Sequence, residues 1–158
     1  MKRTSTKWMF TACGLISAAG VFAFAYLMAL AHEVILAWSE LLAPFAAGIY
    51  CYCAGAASPC IAAVALLGMV IREIGRERAF TMKNARLVQG ISWMAFTECI
   101  YIAAGIVGWS MAGIMHPGVI LIALAVIMLG AGVGILAWAL ASLVRRASAI
   151  QQENDLTV

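Results

Sequence analysis

Charged residues are scarce in this sequence, which contains 10 lysines and arginines and 7 aspartates and glutamates among 158 residues. They amount to 11% of the chain, whereas 65% of its residues are hydrophobic and the mean hydropathy is +1.01. Soluble domains are about half apolar and about a quarter charged. The scarcity of charge therefore excludes a soluble globular domain and indicates a membrane protein of one domain.

Histidine is scarcer still, and no pattern of a metal-dependent or haem enzyme is present. Only His32 and His116 occur, and neither is expected at mid-membrane depth, where paired haem ligands would have to lie. No H-E-x-x-H begins at His32, and no glycine loop follows a strand to bind phosphate. We expect no catalytic residue, no bound metal and no cofactor, and a protein that is not an enzyme.

The cysteines lack the spacing of a redox motif. The two that lie closest in sequence, Cys51 and Cys53, would point about 200° apart on a helix, so they cannot readily form a disulfide. All five lie in apolar runs, as small buried hydrophobic residues do. This excludes a disulfide scaffold and disfavours C-x-x-C chemistry for Cys13, Cys51, Cys53, Cys60 and Cys99.

Long apolar runs are what the sequence has in abundance. A spanning helix needs roughly 20 apolar residues, and four runs qualify, at about residues 8–30, 44–71, 87–109 and 119–144. The first run is too long for a signal peptide and no convincing A-x-A cleavage site closes it, so we expect it to be retained. The predicted fold class is an all-α polytopic membrane protein with four transmembrane helices, followed by a polar tail at 145–158.

The basic residues predict the orientation of the four spans. They occur only before the first span, between the second and third spans, and after the fourth span. By the positive-inside rule, both termini and the central loop are cytoplasmic, as expected of a protein in the bacterial inner membrane. The ten residues are Lys2, Arg3, Lys7, Arg72, Arg76, Arg78, Lys83, Arg86, Arg145 and Arg146.

The segment 31–43 follows the first span on the predicted outer side. Its polar residues recur seven apart on one helical face, so the pattern predicts a short helix in the membrane interface, with Trp38 at head-group level. Two interpretations of the polar face are open: a solvated surface, or a site for a metal or ligand. The candidate residues are His32, Glu33 and Glu40, with His116 from the loop before the fourth span.

Glu98 is the most costly residue in the sequence, because it lies at the middle of the third span. A carboxyl group at the centre of the bilayer costs about 3 kcal/mol, so we expect it to face the protein interior, where burial favours its neutral form. Counting depth along the spans places Ser17 and Ser58 at the same level, and Tyr101 on the same helical face. These residues predict either a ligand or proton pocket, or one structural hydrogen bond.

Three local signals bear on packing. Pro59 frees the carbonyl of Gly55 and predicts a kink in the second span. Thr81 is predicted to cap the start of the third span. Gly130 and Gly134 form a G-x-x-x-G that admits close approach of another helix, either within the chain or from a second copy in a homo-oligomer.

Two stretches resemble a known family. The closing residues 153–158, ENDLTV, closely resemble the terminal signature of the YoaS-like family of bacterial four-span membrane proteins. The segments 78–81 and 84–86 resemble the stretch that precedes the third span in that family. The chain is shorter than the family pattern between its third and fourth spans.

The resemblance implies a function for the tail and the central loop. Members of the family are similar to proteins that are often encoded beside a small helix-turn-helix regulator. The resemblance therefore implies a membrane sensor that docks a cytosolic protein and does not itself bind nucleic acid. The tail's alternating apolar residues are compatible with an extended strand, or with side chains taken up by a folded partner. The predicted docking residues are Phe80, Asn84, Glu153, Asn154, Asp155, Leu156, Thr157 and Val158.

Two other function classes remain open beside this regulator. A small oligomeric transporter or proton-coupled permease would use Glu98, because no other acid is predicted inside the membrane. An intramembrane enzyme would need a second polar group facing Glu98.

Overall fold

The computed structural model describes residues 2–76 and 79–156, and the side chains of residues 7–76 and 79–151. Over these ranges the chain is helical, without strands, which confirms the predicted fold class. The helices are α1 (Lys2–Ala37), α2 (Ser39–Leu42), α3 (Ala46–Gly75), α4 (Met82–Met111) and α5 (Pro117–Leu156), with a 3-10 turn (Ala43–Phe45) before α3. Four of them, α1, α3, α4 and α5, are long and apolar enough to cross a membrane.

The helices pack in chain order, with α4 between two neighbours. Helix α5 packs on one side of α4 and α3 on the other, while α1 packs mainly on α3. Ser92 and Tyr101, nine residues apart on α4, illustrate this: Ser92 bonds to α5 and Tyr101 to α3. We call the end that carries Arg72, Lys83 and Arg145 the basic end, and the opposite one, with its two histidines, the histidine end.

The closest packing lies at the basic end. Val70 of α3, Val88 of α4 and Ala141 of α5 form a buried cluster, flanked by partly buried aliphatic residues of the same helices. Buried polar residues lie in the same half of the protein: Glu73, Asn84, Ser92 and Ser148. The last turn of α3, the first of α4 and the second half of α5 therefore form one compact unit.

Two helices, α1 and α5, extend furthest beyond the ends of their apolar runs. Helix α1 includes residues 31–37, so the separate interfacial helix is reduced to the four residues of α2. Helix α5 continues to Leu156, and the predicted tail is helical rather than extended over 145–156. The physical reason is that residues 145–156 contain neither glycine nor proline to end the helix.

The predicted cap of α4 is confirmed, and the carbonyl that Pro59 leaves free has a donor in its own helix. The Thr81 hydroxyl accepts from the Asn84 N–H (3.3 Å), which caps α4. Helix α3 remains helical through Pro59, and the Ser58 hydroxyl donates to the carbonyl of Gly55 that proline leaves free (2.9 Å). At the histidine end, Gly113 with φ of 73° terminates α4.

Candidate functional site

Glu98 lies on the side of α4 that faces α3. It shares this helical face with Tyr101 and Gly105, three and seven residues further on, both of which contact α3. Its side chain is half-buried, and the buried Oε2 atom has no hydrogen-bond partner within the described residues. The carboxyl group is within electrostatic range of the Tyr52 hydroxyl and the Cys60 thiol of α3. The inward orientation predicted from sequence is therefore observed, whereas a bonding partner is not.

One turn from Glu98, two tyrosines join α3 and α4. The rings of Tyr52 and Tyr101 are stacked, with centroids 4.9 Å apart and planes inclined by 9°. The Tyr101 hydroxyl donates to the carbonyl of Tyr52 (3.1 Å), and the Tyr52 hydroxyl lies 3.4 Å from the carbonyls of Tyr101 and Ile102. Each tyrosine thus bonds to the backbone of the opposite helix. We call this reciprocal pair the tyrosine clasp.

Two glycines make room for the clasp. A Cβ atom on Gly105 of α4 would overlap the Tyr52 ring and hydroxyl, and one on Gly55 of α3 would overlap the Tyr101 hydroxyl. The arrangement is reciprocal, because each ring lies against the backbone of the opposite helix at a glycine. Any side chain at either glycine would displace a ring from its hydrogen bonds.

Towards the histidine end, the clasp forms the floor of an open groove of about 440 Å³ between α3 and α4. The side chain of Trp109 forms one wall and packs edge-to-face on Tyr52, with centroids 6.2 Å apart. Small residues of α4 form the rest, and the lining is almost entirely apolar: Tyr52, Tyr101, Ala104, Gly105, Gly108, Trp109 and Ala112. Glu98 lies on the other side of the clasp and does not line the groove.

The predicted site residues are only partly brought together. Tyr101 lies beside Glu98 as predicted, but Ser58 donates to its own helix. Ser17 also donates within its own helix, to the carbonyl of Cys13 (2.8 Å). Counting along the antiparallel helices from the bond between His32 and Tyr50 places Ser17 about 10 Å closer to the basic end than Ser58. The predicted common depth is wrong for Ser17. The contact of His32 with Tyr50 sets the apolar run of α1 closer to the basic end than the edges of that run suggest.

Gly130 and Gly134 form an internal seam with α4. A Cβ atom on Gly130 would lie 2.9 Å from the Cys99 sulfur, and one on Gly134 would lie 3.0 Å from the Phe96 ring. The Ser92 hydroxyl donates to the carbonyl of Gly134 (2.8 Å). The sequence left two possible partners for these glycines, a helix of the same chain or a second copy, and the partner in this structure is α4 of the same chain. They are not available to a second copy as a homo-oligomer seam, because α4 already covers them.

At the basic end, the two predicted docking residues of the loop differ in accessibility. Phe80 is 57% exposed, whereas Asn84 is 3% exposed. The Asn84 side chain donates from Nδ2 to the carbonyl of Ala79 (2.8 Å) and so stabilises the turn before α4. Lys83 and the buried Glu73 form an ion pair (2.6 Å) that ties α4 to α3. Asn84 therefore supports the loop from inside, and Phe80 is the residue that a partner can reach.

The predicted docking residues of the tail lie at the edge of what the structure describes. The backbone of residues 153–156 belongs to α5, while their side chains, and Thr157 and Val158 altogether, lie outside the described residues.

Of the candidate outer-face residues, Glu33 and Glu40 are exposed, and the two histidines have separate structural roles. His32 Nδ1 lies 2.7 Å from the Tyr50 hydroxyl and links α1 to α3. His116 Nδ1 accepts from the Gly118 N–H (3.1 Å) at the start of α5. Over the side chains described, histidine, cysteine, aspartate and glutamate do not gather in a group of three that could hold a metal ion, and the five cysteines are free thiols.

Sequence reasoning missed Tyr52 and Gly55. The available signal was a tyrosine followed by a glycine on the same helical face in both spans, Tyr52 with Gly55 and Tyr101 with Gly105. Residues three or four apart share a helical face, so each pair could have been identified as a ring beside a gap. Which ring fills which gap depends on the register of α3 against α4, which the sequence does not state.

Comparison with known proteins identifies the family of this chain. A family model described as "Protein of unknown function (DUF2975)" matches residues 3–158. The chain belongs to this family.

As a member of the DUF2975 family, the chain also resembles a curated bacterial protein. It is 35% identical over 91 residues to the "Uncharacterized membrane protein YoaS" of Bacillus subtilis (strain 168), a match that covers 56% of this chain. The chain spans 57% of the length of that relative. No solved structure matches the chain. The resemblance to YoaS-like proteins that the tail and loop suggested is thereby confirmed, together with location in a membrane.

Proposed function

We propose that the chain is a non-enzymatic protein of the bacterial inner membrane that docks a cytosolic protein at its basic end. The docking surface comprises the exposed loop around Phe80 and the part of α5 that follows Arg145. The four long helices serve as its membrane anchor.

The continuity of α5 is the observation that carries this proposal. Helix α5 has 40 residues, or about 60 Å, whereas a bilayer's hydrocarbon core is about 30 Å thick. The ten residues after the basic pair Arg145–Arg146 extend it by about 15 Å, to Leu156. Ser148 is only 2% exposed, and its hydroxyl donates to the Arg145 carbonyl (2.8 Å). The extension is thus packed where it leaves the span, and its backbone continues as a helix to Leu156.

The distribution of charge supports a cytosolic position for this surface. Among the described side chains, the lysines and arginines lie towards the basic end, while the histidine end carries Glu33, Glu40 and the two histidines. By the positive-inside rule, the basic end is cytoplasmic. The YoaS-like resemblance then suggests a partner class, namely a small helix-turn-helix regulator held at or released from the membrane.

The proposal is tested by co-purification in detergent from the native cell, with partners identified by mass spectrometry. The full-length chain is compared with a chain that ends at Gln152 and with the full-length variant Phe80→Ser. A small DNA-binding protein retained by the full-length chain and lost from the other two is the expected result. Glu98→Gln is the matched control, since it changes the membrane interior and leaves the docking surface intact. An identical partner list from all four proteins would refute the docking function.

A second candidate function, in a small oligomeric transporter or proton-coupled permease, is favoured by Glu98. An acid inside the membrane without a hydrogen-bond partner is costly, and such acids commonly serve ion or proton pathways. The two functions differ in which change abolishes them. Loss of proton-coupled uptake in Glu98→Gln vesicles, with full uptake by the chain ending at Gln152, would identify a transporter.

A further inference from the structure

Helices α4 and α5 carry the same pair of residue types in opposite order. On α4, Arg86 precedes Trp93 by seven residues, and on α5, Trp138 precedes Arg145 by seven. Residues seven apart lie two turns and about 10 Å apart on the same helical face. Because the two helices are antiparallel, both arginines lie towards the basic end and both tryptophans lie deeper.

A hydrogen bond shows that the two pairs are at the same level. The Arg145 guanidinium donates to Oε1 of Gln89, which follows Arg86 by three residues on α4. Arg145 of α5 is therefore held beside the Gln89 amide, within about one helical turn of the level of Arg86 on α4. All four residues are accessible from outside the protein: Arg86 and Arg145 are exposed, and Trp93 and Trp138 are 62% and 61% exposed.

The level of the arginines corresponds to the edge of the bilayer. Helix α4 has 30 residues, of which about 20 are needed to cross the hydrocarbon core. The first turn and the last turn therefore lie outside the core, and Arg86 lies at its boundary, at head-group level. The two indole rings lie about 10 Å deeper, beside the upper part of an acyl chain.

We propose that this face of the α4–α5 seam binds one acidic phospholipid. The guanidinium groups of Arg86 and Arg145 would hold its phosphate, since guanidinium donors match phosphate oxygens in geometry and charge. Gln89 positions Arg145 for this contact. Trp93 and Trp138 pack against one acyl chain, an apolar contact that a free phosphate ion cannot make.

Other groups at the basic end leave these arginines available. Among the described contacts, the salt bridge to the buried Glu73 is made by Lys83, and the side chain of Arg145 bonds to a neutral amide rather than to an acid. The charges of Arg86 and Arg145 therefore face the head-group region. Arg72 is also exposed but lies on α3 rather than on α4 or α5, and it provides a control of equal charge.

The test is native mass spectrometry of the full-length protein in detergent with an equimolar mixture of phosphatidylglycerol and phosphatidylcholine that have identical acyl chains. We expect one phosphatidylglycerol bound in preference to phosphatidylcholine. Arg86→Gln and Arg145→Gln should each reduce that preference about fivefold, the order expected for a basic residue at an acidic membrane surface. Arg72→Gln should leave it unchanged.

Three results would overturn the proposal. Equal binding of the two lipids by the unaltered protein would exclude selection of the acidic head group. An equal loss in Arg72→Gln would show that total charge, rather than this seam, attracts the lipid. Displacement of the lipid by millimolar inorganic phosphate would assign the arginines to the free ion. The first and third measurements use the unaltered protein, so they decide the matter even if a glutamine variant fails to fold.

Discussion

Replacement of Gly105 by alanine should open the tyrosine clasp. The added Cβ atom would overlap the Tyr52 ring, so the ring has to leave its position between the two helices. Overpacking of this kind costs about 1–3 kcal/mol, loss of a stacked aromatic pair costs about 1 kcal/mol, and an interhelical hydrogen bond in a membrane contributes about 0.6 kcal/mol. These terms overlap, because one movement causes all three. We therefore expect a net loss of about 2–4 kcal/mol.

Gly108→Ala is the matched control for this change. It lies on the same helix, and a Cβ atom at residue 108 would have no neighbour within 4 Å. Because alanine favours the helix over glycine by about 1 kcal/mol, this variant should be as stable as the original protein or slightly more stable. The free energy of unfolding is to be measured for both variants by reversible denaturation in mixed micelles.

The reasoning also predicts how Gly105→Ala depends on Tyr52. In a Tyr52→Ala protein the ring that meets the new methyl group is gone, so Gly105→Ala should then cost about 0–0.5 kcal/mol. The difference between the two backgrounds is the coupling energy of the clasp. Equal losses from Gly105→Ala with and without Tyr52, or equal stabilities of the alanine variants at 105 and 108, would refute the steric explanation.

Three further predictions concern the helix ends, the α4–α5 seam and the orientation. Thr81→Ala should lower the free energy of unfolding by about 1 kcal/mol because it removes the cap of α4. Thr97→Ala is the control and should have little effect, since the Thr97 hydroxyl bonds within its own helix. Denaturation of both variants in mixed micelles checks this prediction. Ser92→Ala should lower the free energy of unfolding by about 0.6 kcal/mol in the same assay, because its bond to the Gly134 carbonyl is lost. The Ser142 hydroxyl bonds within α5, so an equal or larger loss in Ser142→Ala would contradict the role of Ser92 in the seam. A single cysteine at position 113 in a cysteine-free chain should react with an impermeant thiol reagent in intact cells, while one at position 80 should react only after lysis. The reverse pattern would exclude an orientation with the basic end in the cytoplasm.

The sequence predicted the features that depend on local chemistry. The four apolar runs, the cap at Thr81 and the inward face of Glu98 follow from residue types that act alone or within one helical turn. That Pro59 frees the Gly55 carbonyl follows in the same way, whereas its donor, the hydroxyl of the neighbouring Ser58, was not predicted.

Features that depend on the register between helices were not predictable. The clasp requires Tyr52 to meet Gly105 and Tyr101 to meet Gly55, and a shift of α3 by one turn would separate both pairs. Ser17 was misplaced for the same reason, because its depth was counted from the edge of an apolar run rather than from the contact of His32 with Tyr50. The length of α5 was underestimated because helices do not end where hydrophobicity ends.

The arrangement of the helices also sets the order in which the chain can mature during synthesis. Helix α1 is made first, yet its neighbour α3 appears only later, so α1 has to wait in the lipid as a solitary span. The most extensive contact, between α4 and α5, forms last, when the final span leaves the ribosome. Until then the Ser92 hydroxyl and the Cys99 thiol, which bond to carbonyls of α5 in the finished protein, face lipid. A chain that stops before α5 would therefore leave both of these groups on α4 without the partners that they have in the complete protein.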